Sequence, residues 1–145
     1  MIDCITPWYL IWNLFNAHQC SEIYGLTTLT EPFSFVEYLP FFLKTLVLEL
    51  PIYFLFLRRL KSIPTILKLN TLANLATHPI VFFIIPIALM QLNGTYLNYL
   101  VTAEIFAPLV ETLILYKVFK LSPSRSFAAA LCANLFSWSV GIYWL

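Results

Sequence analysis

Four long apolar stretches, separated by short polar connections, make up most of the chain. They cover about residues 38–57, 65–90, 97–119 and 126–145. At a rise of about 1.5 Å per residue, each stretch is long enough as a helix to cross a hydrocarbon core of about 30 Å. Turn-forming residues separate the stretches, at Pro64, Gly94 and Pro123. The pattern predicts an all-α membrane protein, a bundle of four transmembrane helices.

The first part of the chain does not follow this pattern. Its apolar portion, residues 5–17, is rich in tryptophan and spans only about a dozen residues, whereas a transmembrane helix needs about 20. We therefore expect residues 1–37 to form an extracytoplasmic N-terminal segment with an interfacial or re-entrant helix. Residues 38–145 would then form the four-helix transmembrane domain. A fifth span over residues 5–17 is the alternative.

The composition excludes a soluble domain. The chain is 61% hydrophobic and only 10% charged, whereas a soluble domain carries about 25% charged residues because its surface faces water. Most of the exterior of this chain must therefore face lipid. The few basic residues are explained by membrane topology, so they give no reason to expect nucleic-acid binding.

The positions of the basic residues predict the orientation in the membrane. Seven of the eight flank the first and third connections: Arg58, Arg59, Lys61, Lys68, Lys117, Lys120 and Arg125. Because basic loops stay in the cytoplasm, both chain ends are expected on the extracytoplasmic side. Lys44 is the exception, and we expect its long side chain to snorkel outward from the start of the first helix.

Three glutamates and one histidine fall inside the predicted spans. Glu49, His78 and Glu111 lie near the middle of their helices, and Glu104 lies nearer the outer surface. A charged side chain at the bilayer centre costs about 2.5–3.5 kcal/mol on insertion scales, so such residues mark functional sites. Because Glu49 and Glu111 have no evident basic partner, each is expected to be protonated or to hold a cation. The four residues form a predicted ion or proton site, unless headgroup water simply solvates Glu104.

Neutral polar residues lie on one face of the second and fourth helices. They are Asn70, Asn74 and Thr77 beside His78, and Asn134, Ser137 and Gly141. At this helical spacing they face the bundle interior, where they either support the ion site or only hydrogen-bond between helices. Ser137 and Gly141 are also small enough to permit close helix approach. Pro79 should disturb the local hydrogen-bond ladder and free carbonyls that His78 could cap.

The three cysteines show no metal-binding spacing. Cys4 and Cys20 both belong to the N-terminal segment, and whether they form a disulfide depends on how oxidising their compartment is. Cys132 is expected to be a small apolar packing residue.

Each predicted span contains one short motif around its polar residues. The motifs are Glu-Leu-Pro at 49–51, Asn-Leu-Ala-Thr-His-Pro at 74–79, Ala-Glu-Ile-Phe-Ala-Pro-Leu-Val-Glu at 103–111 and Ala-Asn-Leu-Phe-Ser-Trp-Ser-Val-Gly at 133–141. Together they resemble a group of uncharacterised small bacterial four-helix inner-membrane proteins. The resemblance covers about residues 45–141 and leaves the N-terminal segment outside. It implies a multi-pass protein of the bacterial inner membrane, and it implies no activity.

Three functions are compatible with these features. The first is a transporter or channel component whose midplane Glu/His site binds a cation or relays protons. The second is an accessory or structural membrane subunit without a ligand, whose polar faces serve only assembly. The third is an intramembrane metalloenzyme in which a divalent metal ion is held by Glu49, His78 and Glu111, with Glu104 as acid or base.

We favour the first of these functions, and a transporter or channel component need not be an enzyme. Only one histidine lies inside the predicted spans and the chain has no HExxH motif, which argues against a catalytic zinc site. Because four short helices enclose only a thin pore, a homo-oligomer or a partner membrane subunit is expected.

Overall fold

The computed structural model describes residues 35–143, and within that range the chain is 87% helical and contains no strand. Five α-helices follow one another: α1 (Phe35–Leu57), α2 (Ile63–Pro79), α3 (Ile85–Gln91), α4 (Tyr96–Lys117) and α5 (Pro123–Tyr143). A π-helix, Ile80–Ile84, joins α2 to α3. The prediction of an all-α protein is confirmed for this part of the chain.

Predictions about the N-terminal segment fall on residues outside the described range. These are the interfacial or re-entrant helix, the alternative fifth span and the state of Cys4 and Cys20. At the boundary, α1 begins at Phe35, slightly before the expected start at residue 38. Helix α1 therefore includes the last residues of the predicted N-terminal segment.

Three helical segments are long and apolar enough to cross a membrane: Tyr38–Leu57, Ile63–Gln91 and Tyr96–Lys117. They coincide with the first three predicted spans. Helix α5 is 21 residues long, but it is not one of the segments that length and composition identify. Many large apolar side chains are exposed on the helix exteriors, among them Leu55, Leu75 and Leu113. Such a surface suits a lipid environment rather than water.

The segment Ile63–Gln91 is helical throughout, but it changes from α-helix to π-helix and back to α-helix. Pro79 ends α2 and is followed at once by the π-helix Ile80–Ile84, and Pro86 lies at the start of α3. A proline lacks the backbone N–H that would bond the preceding turn, so the ladder must adjust at each of these positions. The predicted disturbance at Pro79 is seen as this π-helix, a type of turn that is frequent at functional sites. His78 does not cap a freed carbonyl, because within residues 35–143 its Nε2 contacts the Thr45 hydroxyl and its Nδ1 has no partner.

The long helices pack as a ring. Helix α2 lies against α1 and α4, and α5 lies against the same two helices. In this arrangement α1 and α4 face each other across the centre, and so do α2 and α5. Helix α3 continues α2 and packs against α4. Each long helix therefore presents one face to a shared interior, as the polar stripes predict.

One end of this interior is apolar. A cluster of buried side chains lies where the helices approach the two basic connections: Tyr53, Leu57, Ile66, Leu69, Leu115, Leu121, Ala129 and Ala133. The two alanines contribute little volume, which lets α5 approach its neighbours closely. We call this set of eight residues the apolar plug. It separates the basic connections from the middle of the bundle.

The turns form where the sequence predicts them. Asn93 and Lys120 adopt φ angles of 52° and 56°, in the left-handed region that ends helices. The Gly94 N–H donates to the Leu89 carbonyl at 2.7 Å, and a Cβ at Gly94 would lie only 3.0 Å from Leu89. A larger residue there would force Leu89 to shift by a few tenths of an ångström. The Thr95 hydroxyl then caps α4 through a reciprocal capping box with Asn98.

Candidate functional site: two buried glutamates in a polar cavity

A cavity of about 240 Å³ lies inside the ring of helices, on the side of the apolar plug away from the basic connections. All four residues of the predicted ion or proton site line it: Glu49, His78, Glu104 and Glu111. Four of the five supporting residues line it as well: Asn74, Thr77, Asn134 and Ser137. The polar positions of four separate helices thus converge on one space.

Glu111 on α4 has an exposed fraction of 1% and accepts hydrogen bonds from three other helices. The Tyr53 hydroxyl of α1 donates to Oε2 at 2.6 Å, and the Asn134 amide of α5 donates to the same oxygen at 2.7 Å. The Thr77 hydroxyl of α2 donates to Oε1 at 3.2 Å. A hydrogen bond to a charged group contributes about 1.5–3 kcal/mol. These donors therefore offset part of the cost of burying the carboxyl group.

Glu49 on α1 is completely buried but has fewer partners. The Asn74 amide of α2 donates to Oε2 at 2.6 Å. The Ser137 hydroxyl of α5 lies 3.4 Å from Oε1, at the long limit of a hydrogen bond. The two glutamates thus line the same cavity, but Glu49 accepts fewer hydrogen bonds than Glu111, and one of them is long.

Asn70 supports this arrangement from outside the cavity. Its amide donates to the Leu46 carbonyl of α1 at 2.9 Å, which ties α2 to α1. Its backbone and side-chain oxygens lie 3.1 and 3.2 Å from the Asn74 amide nitrogen. Asn70 therefore fixes the position of the residue that binds Glu49. Its role as a supporting residue agrees with its place on the predicted stripe.

His78 is half-buried and has a different set of partners. Its Nε2 lies 3.2 Å from the Thr45 hydroxyl, and its ring centroid lies 5.6, 5.5 and 6.2 Å from those of Tyr38, Phe42 and Phe82. Its Nδ1 is buried without a partner among residues 35–143. Within the same range, no hydrogen bond joins His78 to either buried glutamate. The cavity therefore brings His78 near the site without making it part of the carboxylate network.

Glu104 lies on α4 seven residues before Glu111 and is only half-buried. Residues seven apart occupy the same helix face, and both carboxyl groups line the cavity. Glu104 is placed towards the end of the bundle that lies opposite the basic connections. Its position matches the sequence expectation.

Sequence reasoning missed two residues of the site. We expected Lys44 to extend outward to the interface, but it turns into the bundle, lines the cavity and donates Nζ to the Gly141 carbonyl at 3.0 Å. Tyr53 was not singled out at all, although its hydroxyl is the closest donor to Glu111. The available signal was spacing along α1, because Tyr53 follows Glu49 by four residues and so shares its helix face.

Two smaller expectations also fail. Gly141 does not mark close helix packing, because a Cβ built there would meet nothing within 4 Å; instead its carbonyl binds Lys44. Cys132 is exposed on the bundle exterior rather than packed in the core. Both errors arise because helical spacing gives the face of a residue but not the distance to the neighbouring helix.

The donor set does not fit a metal ion. In the part of the chain that the structure describes, no group of three or more His, Cys, Asp or Glu side chains is arranged to hold one. The proposed ligands Glu49, His78 and Glu111 bind Asn74, Thr45 and Tyr53 instead. These contacts suit carboxyl groups stabilised by neutral donors rather than a shared coordination sphere.

Comparisons with protein-family models, with curated proteins and with solved structures find no match to this chain. Its function must therefore be argued from the chemistry of the cavity.

Proposed function

We propose that this protein is a small polytopic membrane transporter or channel component whose cavity binds a cation or relays protons through Glu49 and Glu111. The convergence of two buried glutamates on one cavity carries the proposal. Every side chain that donates to them is neutral, so the charge of the pair is not balanced within this hydrogen-bond network. Lys44 lines the same cavity, but its ammonium binds the Gly141 carbonyl rather than a carboxyl group, so a proton or a bound cation would provide that balance.

The apolar plug limits access to one side. The cavity lies on the side of the plug away from the basic connections, so an ion in the cavity meets closely packed apolar side chains on its way to those connections. An apolar constriction of this kind stops ions because it excludes water. The arrangement therefore favours a transporter that opens to one side at a time over a permanently open pore.

The topology completes the proposal. Helix α5 would be the fourth span, since it packs against α1 and α4 over the same interior as the other spans. With both basic connections in the cytoplasm, both chain ends and the accessible side of the cavity are extracytoplasmic. The resemblance stated above supports the bacterial inner membrane as the location. A homo-oligomer or a partner membrane subunit would supply the remainder of a translocation path.

An accessory subunit without a ligand is the second candidate, and one observation favours it. Glu111 accepts hydrogen bonds from α1, α2 and α5 together, so a single side chain connects the whole ring of helices. Such contacts hold a bundle together without any need for transport. An intramembrane metalloenzyme is the weakest candidate, because the described residues offer no three-ligand group.

Infrared difference spectroscopy tests the proposal. The purified protein in lipid nanodiscs is taken through a pH series, and the band of protonated carboxyl groups is recorded. We expect a band that changes with pH and that is lost in Glu111→Gln. Glu37→Gln is the matched control, because Glu37 precedes the Tyr38–Leu57 span and its removal should leave the band intact.

Two negative results together would decide against transport. If no protonated-carboxyl band responds to pH in the unmodified protein, and proteoliposomes show no cation or proton flux, the accessory role replaces the transport role. A band that is equally strong in Glu111→Gln would assign the buried proton to a different group.

A further inference from the structure

One buried acceptor in the cavity lacks a donor. The Asn74 side chain has an exposed fraction of 1% and lines the cavity, yet its Oδ1 has no partner among residues 35–143. Its Nδ2, in contrast, lies within 2.6, 3.1 and 3.2 Å of three acceptors, on Glu49 and Asn70. Reversing the amide would bring Oδ1 against those three oxygens, so the hydrogen-bond network fixes its orientation.

The neighbouring glutamate also has unused capacity. A carboxylate can accept about four hydrogen bonds. Glu49 has one short donor, Asn74, and one at 3.4 Å, Ser137, whereas Glu111 has three donors within 3.2 Å. Buried polar groups are normally satisfied, so Asn74 Oδ1, which has no donor among residues 35–143, and Glu49, which has one short donor, are two acceptors on neighbouring side chains with capacity for a further donor. We call them the acceptor pair.

We propose that this acceptor pair binds the ammonium group of a small organic amine. This inference rests on the proposed cation-binding function and names the class of cation. A protonated primary amine carries three N–H donors and one positive charge, which matches one carboxylate and one amide oxygen. A divalent metal ion would need more charged ligands than the described residues bring together.

The size and lining of the cavity fit an organic cation better than a bare ion. A volume of about 240 Å³ is many times the roughly 10–15 Å³ that a cavity needs to hold one water molecule. Aromatic side chains line the side of the cavity away from the plug, among them Phe41, Tyr99 and Trp138. They would contact the carbon chain of the ligand and attract its charge through their ring faces.

The experiment compares two cations on the unmodified protein. Binding of butylammonium and of tetramethylammonium to the purified protein in nanodiscs is measured by isothermal titration calorimetry. The two have the same charge and the same number of non-hydrogen atoms, but only butylammonium has N–H donors. We expect butylammonium to bind in a one-to-one ratio and about tenfold or more tightly than tetramethylammonium, since the charge-assisted hydrogen bonds are lost in the latter.

Matched variants then locate the ammonium group. Glu49→Gln and Asn74→Ala should each weaken butylammonium binding about tenfold or more. Glu37→Gln makes the same chemical change before the Tyr38–Leu57 span, and Gln91→Ala removes an exposed amide at the end of α3 that does not line the cavity. The affinity of both variants should equal that of the unmodified protein. If Glu49→Gln or Asn74→Ala does not fold, the comparison of the two cations on the unmodified protein still decides.

Several results would overturn the inference. Equal binding of the two cations would show that N–H donation is not used. Equal weakening by the control variants would place the ligand elsewhere. If butylammonium does not bind while sodium binds or the pH-dependent carboxyl band is present, the amine is wrong but the cation or proton site stands. If none of these signals is seen, both proposals fall.

Discussion

The two ends of the bundle interior differ in chemistry although the same helices build them. At the end near the basic connections, the apolar plug packs aliphatic side chains, alanines and the ring of Tyr53 against one another. At the other end, the helices surround a cavity lined by Glu49 and Glu111 together with other polar side chains. Tyr53 joins the two, because its ring belongs to the plug while its hydroxyl binds Glu111.

This difference gives the two ends different roles: the plug stabilises the bundle, and the cavity carries the side chains of the proposed site. Close packing in the plug fixes the positions of the helices, and fixed helices hold the glutamates at hydrogen-bonding distance from their donors. The cavity end carries the groups that are costly to bury, so it depends on the plug for its geometry. The plug also closes the side towards the basic connections, and the proposed transport cycle would have to open it.

The largest effect expected is an all-or-none difference in labelling. In a variant without native cysteines, single cysteines placed within residues 58–64 or 120–125 should react with an impermeant maleimide only after the membrane is permeabilised. The physical reason is the retention of basic connections in the cytoplasm. A cysteine at Asn93, in the connection without basic residues, is the control and should react in intact cells. Labelling of the basic connections in intact cells would reverse the orientation and place the plug on the extracytoplasmic side.

A loss of packing in the plug should be the next largest effect. Leu115 is completely buried, whereas Leu113 on the same helix has an exposed fraction of 57%. We expect Leu115→Ala to lower the free energy of unfolding by about 2–5 kcal/mol because it leaves a cavity. Leu113→Ala should change it by about 0.5 kcal/mol or less. Denaturant unfolding in detergent micelles measures both, and equal losses would show that the plug is not the stabilising region.

Removal of the hydroxyl that joins the plug to the cavity should have an intermediate effect. Tyr53→Phe keeps the ring but removes the 2.6 Å donor to Glu111, which should cost about 0.5–1.5 kcal/mol where Glu111 is protonated and about 1.5–3 kcal/mol where it is charged. Tyr116→Phe is the control, since Tyr116 is exposed on α4. If unfolding experiments give the same small change for both variants, the hydroxyl of Tyr53 does not stabilise the carboxyl group.

The smallest effect expected is a coupling between residues of the cavity. In cation-binding measurements, Glu49→Gln and Glu111→Gln should be non-additive by about 0.5–3 kcal/mol, because both act on one site. His78→Asn should add to either change within about 0.5 kcal/mol, since His78 binds Thr45 rather than a glutamate. Full additivity of the two glutamate variants would mean that each acts separately. Strong coupling of His78 to both would restore the shared three-residue site that the sequence suggested.

The sequence by itself determined which stretches form long apolar helices and which polar residues face the bundle interior. Three long apolar stretches fall where the structure has helices able to cross a membrane, because hydropathy and length depend only on local composition. The polar stripe of Asn70, Asn74 and Thr77 is buried as expected, since a period of about 3.6 residues fixes the face of a helix. The break after Pro79 follows from its missing N–H.

Only the tertiary structure decided which of these residues bind one another. Helical spacing placed Glu111 and His78 on inward faces, but the ring order and rotation of the helices paired Glu111 with Tyr53 and His78 with Thr45. The same packing turned Lys44 into the cavity towards Gly141. These contacts join residues that are 33 to 97 positions apart in the chain, and their geometry depends on side-chain volumes at every helix interface. No local pattern contains that information, because the distance between two helices is set by all the side chains that pack between them.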